Sequence, residues 1–300
     1  MALADKLKAT VKNTRAKPQA YAIKDTSDLA TKLLLYGHSG SGKTFFLVGV
    51  LLAGERILVL STDFGGNGLL TVVNELKRIG RLDLLDNLRA LDLAEYEDIR
   101  DFFDDSVSFV PDLMTFNPTV LVWEGFSYFN IGILDEYILS KAPGAEGAGE
   151  LRHEGFTHTK QDWQGMKRGT VRLLGKFMAW TLPNGGKVHK ILTCLEAQPE
   201  IDDLTQKSLR SVLVHGTGKA LIGPPFDAVI ETYKEEKKGG EAVEFKYRCE
   251  GASDKFLVKS RGFQLNPIEN AEPERIWRIL TGKEKSSPTQ ISLPFYSDNN

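Results

Sequence analysis

The 300-residue sequence lacks the features that direct proteins out of a reducing compartment. It has two cysteines, Cys194 and Cys249, both in strand-like runs, too few for the disulfide framework of a small secreted protein. No apolar run reaches the roughly 18 residues that a membrane-spanning helix needs. No signal peptide is recognisable either. These absences predict a cytoplasmic protein with no membrane partner.

The sequence also lacks an excess of charge of one sign. It contains 38 lysines and arginines against 40 aspartates and glutamates, a net charge of −2. Overall charge therefore excludes broad, composition-driven binding to nucleic acid, and any such affinity has to come from local basic patches. The five histidines are scattered without the spacing of a metal site.

A glycine-rich loop between an apolar run and a helical run is what the sequence does contain. Residues 37–44 fit the pattern G-x-x-x-x-G-K-[ST], whose backbone N–H groups cradle phosphates at a helix N-terminus. The alternative is a glycine-rich surface turn. The pattern predicts that ATP and Mg²⁺ bind at Gly37, His38, Ser39, Gly40, Ser41, Gly42, Lys43 and Thr44. Lys43 is expected at the β- and γ-phosphates, and the Thr44 hydroxyl at the Mg²⁺.

Apolar strands alternate with amphipathic helices from residue 32 onward. Such alternation favours an α/β fold with a mostly parallel central sheet covered by helices on both faces. The predicted strands are 32–36, 56–62, 88–92, 119–123 and 188–194, and the predicted helices are 69–79, 96–109, 129–139 and 161–180.

The pattern changes after residue 225. Segments 226–233, 243–249 and 255–259 predict a C-terminal β-meander, and 272–280 predicts a last helix. The expected organisation is a basic N-terminal arm at 1–31, an α/β core at 32–282 and a disordered tail at 283–300.

Two carboxylates follow predicted strands. Glu124 follows strand 119–123, which we expect beside the P-loop strand, and Asp63 follows strand 56–62. Because the carboxyl ends of neighbouring parallel strands meet at one crevice, both should face the γ-phosphate. Asp63, Glu124 and Lys43 are then the candidate catalytic residues: Glu124 is also a metal ligand, and Asp63 orients and deprotonates the attacking water. The alternative for Glu124 is a strand that merely ends in a charged residue, and the alternative for Asp63 is a surface turn.

The strand that begins at residue 188 has a polar end. Thr193 and Glu196 are candidate sensors that pass the state of the γ-phosphate to loop 197–218, and simple strand termination is the alternative. A second irregular segment, residues 141–160, is rich in glycine and alanine. Long loops inside a compact domain are usually functional or disordered.

The order of these features resembles the RecA-like ATPase core, and most of all the compact phage ATPases of the single-strand annealing and recombination-mediator group. The resemblance spans about residues 30–282 and implies a RecA-like P-loop fold. Its pieces are the P-loop, Glu124, Asp162-Trp163, Thr193–Glu196, Gly216–Lys219 and Val258–Arg261; of these, only the P-loop is a specific motif.

By that resemblance, the two long loops face DNA, with Arg152, Lys160, Lys207 and Arg210 as DNA-binding residues. Lys259 and Arg261 would reach the nucleotide of a neighbouring subunit and stabilise charge there. Solvated cations at a strand end are the alternative for this pair.

The expected function is therefore a DNA-stimulated ATPase that self-associates into a ring or filament and binds single-stranded DNA. Its setting would be phage-type recombination, annealing or replication support in the host cytoplasm. Asp63 and Glu124 reverse the commoner choice of acid at each position, and Leu195 stands where a polar residue is frequent. These departures leave open a nucleotide-gated assembly protein, or a loader or packaging P-loop protein, with weak or no turnover.

Overall fold

The computed structural model describes residues 29–63, 68–141, 158–198, 200–201, 208–215, 219–236, 243–251, 257–260 and 263–284. Most of the predicted arm, loop 141–160 and the C-terminal tail lie outside these residues. Arg152, Lys207 and Arg261, predicted as functional residues, also lie outside them.

Strands and helices alternate through the first two thirds of the chain, as predicted. The strands there are β1 (Lys32–Gly37), β2 (Ile57–Ser61), β3 (Leu88–Asp92), β4 (Val120–Glu124) and β5 (His189–Leu195). The helices are α1 (Phe46–Leu52), α2 (Leu70–Arg78), α3 (Tyr96–Asp104), α4 (Ser106–Phe109), α5 (Leu113–Phe116), α6 (Phe126–Tyr128), α7 (Leu134–Ser140) and α8 (Lys160–Ala179). A 3₁₀ helix at Leu82–Asn87 precedes β3, and a π-helical turn at Phe129–Ile133 joins α6 to α7.

The remaining elements are mostly short strands. They are β6 (Glu200–Ile201), β7 (Ser208–Leu209), β8 (Ala228–Glu236), β9 (Val243–Arg248), β10 (Lys259–Ser260) and β11 (Ile268–Asn270), with helices α9 (Lys219–Ile222) and α10 (Pro273–Leu280).

One sheet runs through the domain in the order β11-β9-β8-β1-β5-β4-β2-β3. The six strands from β8 to β3 are mutually parallel, which confirms the predicted mostly parallel α/β sheet. One expectation about the order was wrong: β4 is not beside β1, because β5 lies between them. The carboxyl ends of β1, β5, β4 and β2 nevertheless meet at one edge, as parallel strands must.

Both faces of the sheet are covered, which explains why its central strands are mostly apolar. In β4, Val120 and Val122 pack with α1, α2 and α10, whereas Leu121 and Trp123 pack with α3, α7 and α8. This alternation follows from the two-residue period of a strand. Among the described residues, no helix is long and apolar enough to span a membrane.

Two helices differ from their predicted bounds. The helix expected at 96–109 is broken at Asp105, whose φ of −147° and ψ of 72° are not helical. The Asp105 carboxylate accepts a hydrogen bond from the Ser108 hydroxyl, an example of an aspartate competing with helical backbone bonds. The helix expected at 129–139 begins earlier, at Phe126, and contains the π-helical turn.

The C-terminal antiparallel strands are present, but their third member is not segment 255–259. β9 pairs with only Glu231–Glu236 of β8. The first residues of β8 therefore have no β9 partner, and Ala228 and Val229 pair with β10 instead. The other edge of β9 pairs with β11, which completes the three-stranded arrangement.

Candidate nucleotide and metal site

The P-loop runs from the end of β1 to the start of α1 and is held against β8. At Gly37, a Cβ atom would lie 2.1 Å from the carbonyl oxygen of Thr232, so only glycine allows this approach. The Ser41 hydroxyl lies 2.6 Å from the Thr232 hydroxyl. Gly40 and Gly42 have positive φ angles of 69° and 99°. The loop conformation therefore depends on glycines within the motif and on a buttress from β8.

The Lys43 ammonium folds back over the loop. Its Nζ atom donates to the carbonyl oxygens of Gly37, at 2.9 Å, and His38, at 2.8 Å. Burial lowers the pKa of Lys43, while the charges of Glu124 and Asp63, among others, oppose this effect. A phosphate at the loop would supply the counter-charge that favours the ammonium form.

Glu124 and Thr44 form the central polar contact of the site. The Thr44 hydroxyl donates to Glu124 Oε1 at 2.7 Å. The other carboxylate oxygen, Oε2, is buried and has no hydrogen-bond partner among the described residues. Burial raises the pKa of Glu124, and the Asp63 charge adds to this. The Thr44 and Thr193 hydroxyls and the Lys43 charge act in the opposite direction. A buried carboxylate with an unpartnered oxygen is a position suited to a cation.

The chemistry of this pair suits Mg²⁺. Mg²⁺ is commonly held by one or two carboxylates together with substrate phosphates and waters rather than by a cage of protein ligands. Within the described residues no group of three histidine, cysteine or acidic side chains could hold a metal by itself. Thr44 and Glu124 are thus the residues that would hold the ion next to a bound triphosphate.

Asp63 lies beside Glu124, in van der Waals contact with the turn that follows β4. A Cβ atom on Gly125 would lie 2.2 Å from Asp63 Oδ1, and Gly125 has φ +82°. Burial raises the pKa of Asp63, whereas the Lys43 charge lowers it. Asp63, Glu124 and Lys43 are therefore brought together as predicted, although the strand order that does so was not foreseen.

Hydrogen bonds between the strand ends fix this turn. Thr193 Oγ1 accepts from the Gly125 N–H at 3.0 Å, and the Ser127 hydroxyl accepts from the Leu195 N–H at 2.9 Å. The Thr62 hydroxyl donates to the carbonyl oxygens of Glu124 and Gly125. Thr193, predicted as a sensor, is thus one of the groups that orient the backbone beside Glu124 and Asp63.

Glu196, the other candidate sensor, contacts the P-loop. Its buried carboxylate lies 3.4 Å from His38 Nε2 and 3.7 Å from Arg210 Nε. Burial raises the pKa of Glu196; His38 and Arg210 lower it, and Glu231 raises it further. The contacts connect the P-loop to the chain after β5.

Arg210, predicted as a DNA-binding residue, is directed toward buried acids. Its Nη1 atom lies 2.9 Å from Glu231 Oε1, and Arg248 Nε lies 2.8 Å from Glu231 Oε2. The sequence analysis missed Glu231 and Arg248. The available signal was an acid inside the apolar run of β8, because a fully buried carboxylate needs cationic partners.

The β8–β9 hairpin forms a second wall of the P-loop that the sequence did not reveal. A Cβ atom on Gly42 would lie 3.2 Å from Phe245 Cδ1, and one on Gly40 would lie 3.5 Å from Lys234 Nζ. The Lys234 ammonium lies 5.4 Å from the centre of the Phe245 ring. Phe245 and Lys234 therefore lie close to the glycines of the loop.

Two further predicted residues lie away from this site. Lys259 Nζ donates to the carbonyl oxygen of Pro224 at 3.1 Å, and Lys259 pairs with Val229, near the start of β8 and away from the P-loop edge. Lys160 is exposed at the first position of α8.

No protein-family model and no curated protein matches the chain. Solved structures with a similar arrangement include the RadB recombinase, with a TM-score of 0.43 and 12% identity over 81% of this chain and 88% of that one. They also include a KaiC-like protein from the hyperthermophilic archaeon Pyrococcus horikoshii OT3, with a TM-score of 0.35 and 14% identity over 72% of this chain and 77% of that one. At these scores neither neighbour assigns a function.

Proposed function

We propose that the chain binds ATP with Mg²⁺ at the P-loop and hydrolyses it. The observation that carries this proposal is the contact between Thr44 and Glu124, in which Glu124 Oε2 stays buried with no hydrogen bond to any described residue. A glycine-rich surface turn would not require the buried Glu124 carboxylate to lie 2.7 Å from the Thr44 hydroxyl. A metal–triphosphate complex gives that carboxylate a partner.

Each residue then has a separate task. Lys43 exchanges the carbonyl oxygens of Gly37 and His38 for phosphate oxygens, and the loop N–H groups bind the same anion. Thr44 and Glu124 would hold the Mg²⁺, which would neutralise charge on the triphosphate. These contacts would place the γ-phosphate near the carboxyl ends of β2 and β4, where Asp63 and Glu124 lie.

Asp63 is placed to act on water. Its carboxylate lies against Gly125 at the carboxyl edge of the sheet, and burial raises its pKa, which strengthens it as a proton acceptor once ionised. Asp63 orients a water and takes its proton while that water attacks the γ-phosphorus. The bond between the γ-phosphorus and the β–γ bridging oxygen breaks, and ADP and phosphate leave.

The wider proposal is a recombination-type role in which the chain self-associates and binds single-stranded DNA. The exposed Lys160 supports the DNA part, together with Arg152 and Lys207 in the loops outside the described residues. The placement of Lys259 away from its own P-loop supports contact with a neighbouring subunit, with Arg261 next to it in sequence. A phage setting in a host cytoplasm remains part of this proposal.

The His38–Glu196–Arg210 contacts favour a second candidate, a protein whose assembly is gated by bound nucleotide without turnover. ATP hydrolysis measured with and without single-stranded DNA, over a salt series, separates the two. The ATPase predicts DNA-stimulated phosphate release that falls steeply with salt and disappears in Lys43→Ala. Nucleotide-dependent assembly with no phosphate release above that variant supports the gated protein instead.

A further inference from the structure

Helix α8 presents a continuous basic face to solvent. Its buried face, which includes Met166, Thr170 and Phe177, packs on the sheet. The exposed residues of the first 13 positions are Lys160, Gln161, Trp163, Gln164, Lys167, Arg168, Val171 and Arg172. They recur with the spacing of one helical face and include four cations and no acid.

The cations of this face are not neutralised within the described part of the chain. None of Lys160, Lys167, Arg168 and Arg172 forms an ion pair with a described residue. By contrast, Lys176 in the last turn of α8 pairs with Asp104 at 2.5 Å. At 1.5 Å per residue the face is roughly 18 Å long, enough to follow several nucleotides of a strand.

A cluster of three aromatic rings lies at the N-terminal end of this face. It consists of His158, Trp163 and His215, with ring centroids 4.8 Å apart for His158 and Trp163 and 5.3 Å apart for Trp163 and His215. A hydrogen bond of 2.7 Å between His158 Nε2 and Asp135 Oδ1 holds the His158 ring in place. The backbone N–H of His215 donates to Asn130 Oδ1 at 2.7 Å. Trp163 is still 41% exposed.

The cluster also has a defined place in the chain. His158 follows the last of the residues 142–157, and His215 precedes residues 216–218, which belong to the two loops expected to face DNA. The exposed indole therefore contacts one described residue from each loop, and the row of cations leads away from it along α8.

We infer that the exposed face of α8 is a track for single-stranded DNA, with Trp163 stacking on a base and Lys167, Arg168 and Arg172 contacting successive phosphates. Exposed aromatic rings beside a row of cations are the combination by which proteins bind single strands without reading sequence. Duplex bases are already stacked, so a single strand suits Trp163 better. The inference rests on the proposed DNA binding and names the surface responsible.

Tryptophan fluorescence gives a direct readout because the other three tryptophans, Trp123, Trp180 and Trp277, are at most 7% exposed. A 20-nucleotide single strand is expected to quench the emission of the wild-type protein. Trp163→Phe should keep binding, measured by anisotropy of the labelled strand, and lose the quench. Trp163→Ala should weaken binding about tenfold, the size expected for losing one stacked base.

A charge variant tests the rest of the track. Lys167→Gln/Arg168→Gln/Arg172→Gln should lower the slope of log K against log salt by about two, since each phosphate contact on a single strand contributes about 0.7. The control Lys77→Gln/Arg78→Gln/Arg81→Gln removes the same charge from exposed positions in and just after α2 and should leave the slope unchanged. Binding of a fluorescent ATP analogue should be equal in all variants, which shows that they are folded.

Three outcomes contradict the inference, and they differ in what else they affect. If the wild type binds the strand but both triple variants show the same slope, the track is wrong and the DNA-binding proposal stands. The same holds if binding occurs with no quench of Trp163. If the wild type binds no single strand at low salt, the DNA part of the proposed function fails with the inference.

Discussion

Replacing Gly125 by alanine separates the catalytic arrangement from the stability of the fold. The new Cβ atom would lie 2.2 Å from Asp63 Oδ1 and 2.9 Å from the Asp63 backbone nitrogen. Rotation of the Asp63 side chain relieves the first contact but not the second, so the backbone at Asp63 has to move. Asp63 is then displaced from the position in which it faces the phosphate crevice.

The cost in stability has an internal control. Gly125 has φ +82° and Gly54 has φ +85°, but a Cβ atom on Gly54 meets nothing within 4 Å. Alanine in this left-handed region costs roughly 1–2 kcal/mol, a melting temperature lower by about 2–8 °C in a domain of this size. Gly54→Ala carries this backbone cost alone, whereas Gly125→Ala adds the collision with Asp63.

The expected result is a loss of turnover in one variant only. A displacement of about 1 Å in a catalytic group commonly lowers the rate by about 100-fold, so kcat for ATP should fall by that factor in Gly125→Ala and stay near wild type in Gly54→Ala. ATP affinity, measured by calorimetry with Mg²⁺, should change little in either. Equal kcat in the two variants, with both folded, would refute the role of Asp63.

Further predictions concern protonation and the wall of the P-loop. Because burial raises the pKa of Glu124 above its usual 4.5, the folded protein binds a proton that the unfolded chain releases, and stability falls as pH rises above 4.5. Glu124→Gln should therefore melt at a higher temperature than wild type at pH 8 without nucleotide, with the gap closing toward pH 4.5; equal melting at both pH values contradicts this. Asp63 acts only when ionised, so kcat should decline as pH falls toward its raised pKa, at a pH above the ordinary 3.8, and a rate that stays flat to pH 4 argues against it as the base. Thr232→Val removes the contacts of the Thr232 hydroxyl with Ser41 (2.6 Å) and the Tyr36 carbonyl (3.3 Å) and should cost about 1–3 kcal/mol in denaturant unfolding; unchanged unfolding would show that the buttress is dispensable.

Local patterns predicted the main strands and helices, because the central strands are mostly apolar and the longer helices have one apolar face. The order of strands could not be read in the same way. β1, β4 and β5 are all buried, and nothing in their composition distinguishes the neighbour of β1 from a strand one place farther away. The position of β5 depends on non-local pairing, and so the placement of β4 was wrong.

In the site, too, local features could be predicted from the sequence and long-range contacts could not. The motif at 37–44 and the acids that end β2 and β4 could be predicted, because a parallel sheet brings strand ends together whatever their order. The contact of Asp63 with Gly125 and the ion pairs of Glu231 could not, because they depend on side chains from segments far apart in sequence. Only the charged residue inside the apolar β8 indicated that a buried ion pair was required.

Single-turnover phosphate release tests most directly whether Glu124 and Asp63 make the P-loop hydrolytic. Wild type, Asp63→Asn, Glu124→Gln and Lys43→Ala are mixed with limiting ATP and Mg²⁺, and bound nucleotide and free phosphate are followed together. Wild type should bind ATP and release one phosphate per ATP. Asp63→Asn should bind ATP and release phosphate at least about 100-fold more slowly, Glu124→Gln should do so with a higher requirement for Mg²⁺, and Lys43→Ala should not bind ATP. Wild-type release no faster than that of Lys43→Ala, or full-rate release by Asp63→Asn and Glu124→Gln, would contradict the hydrolytic site.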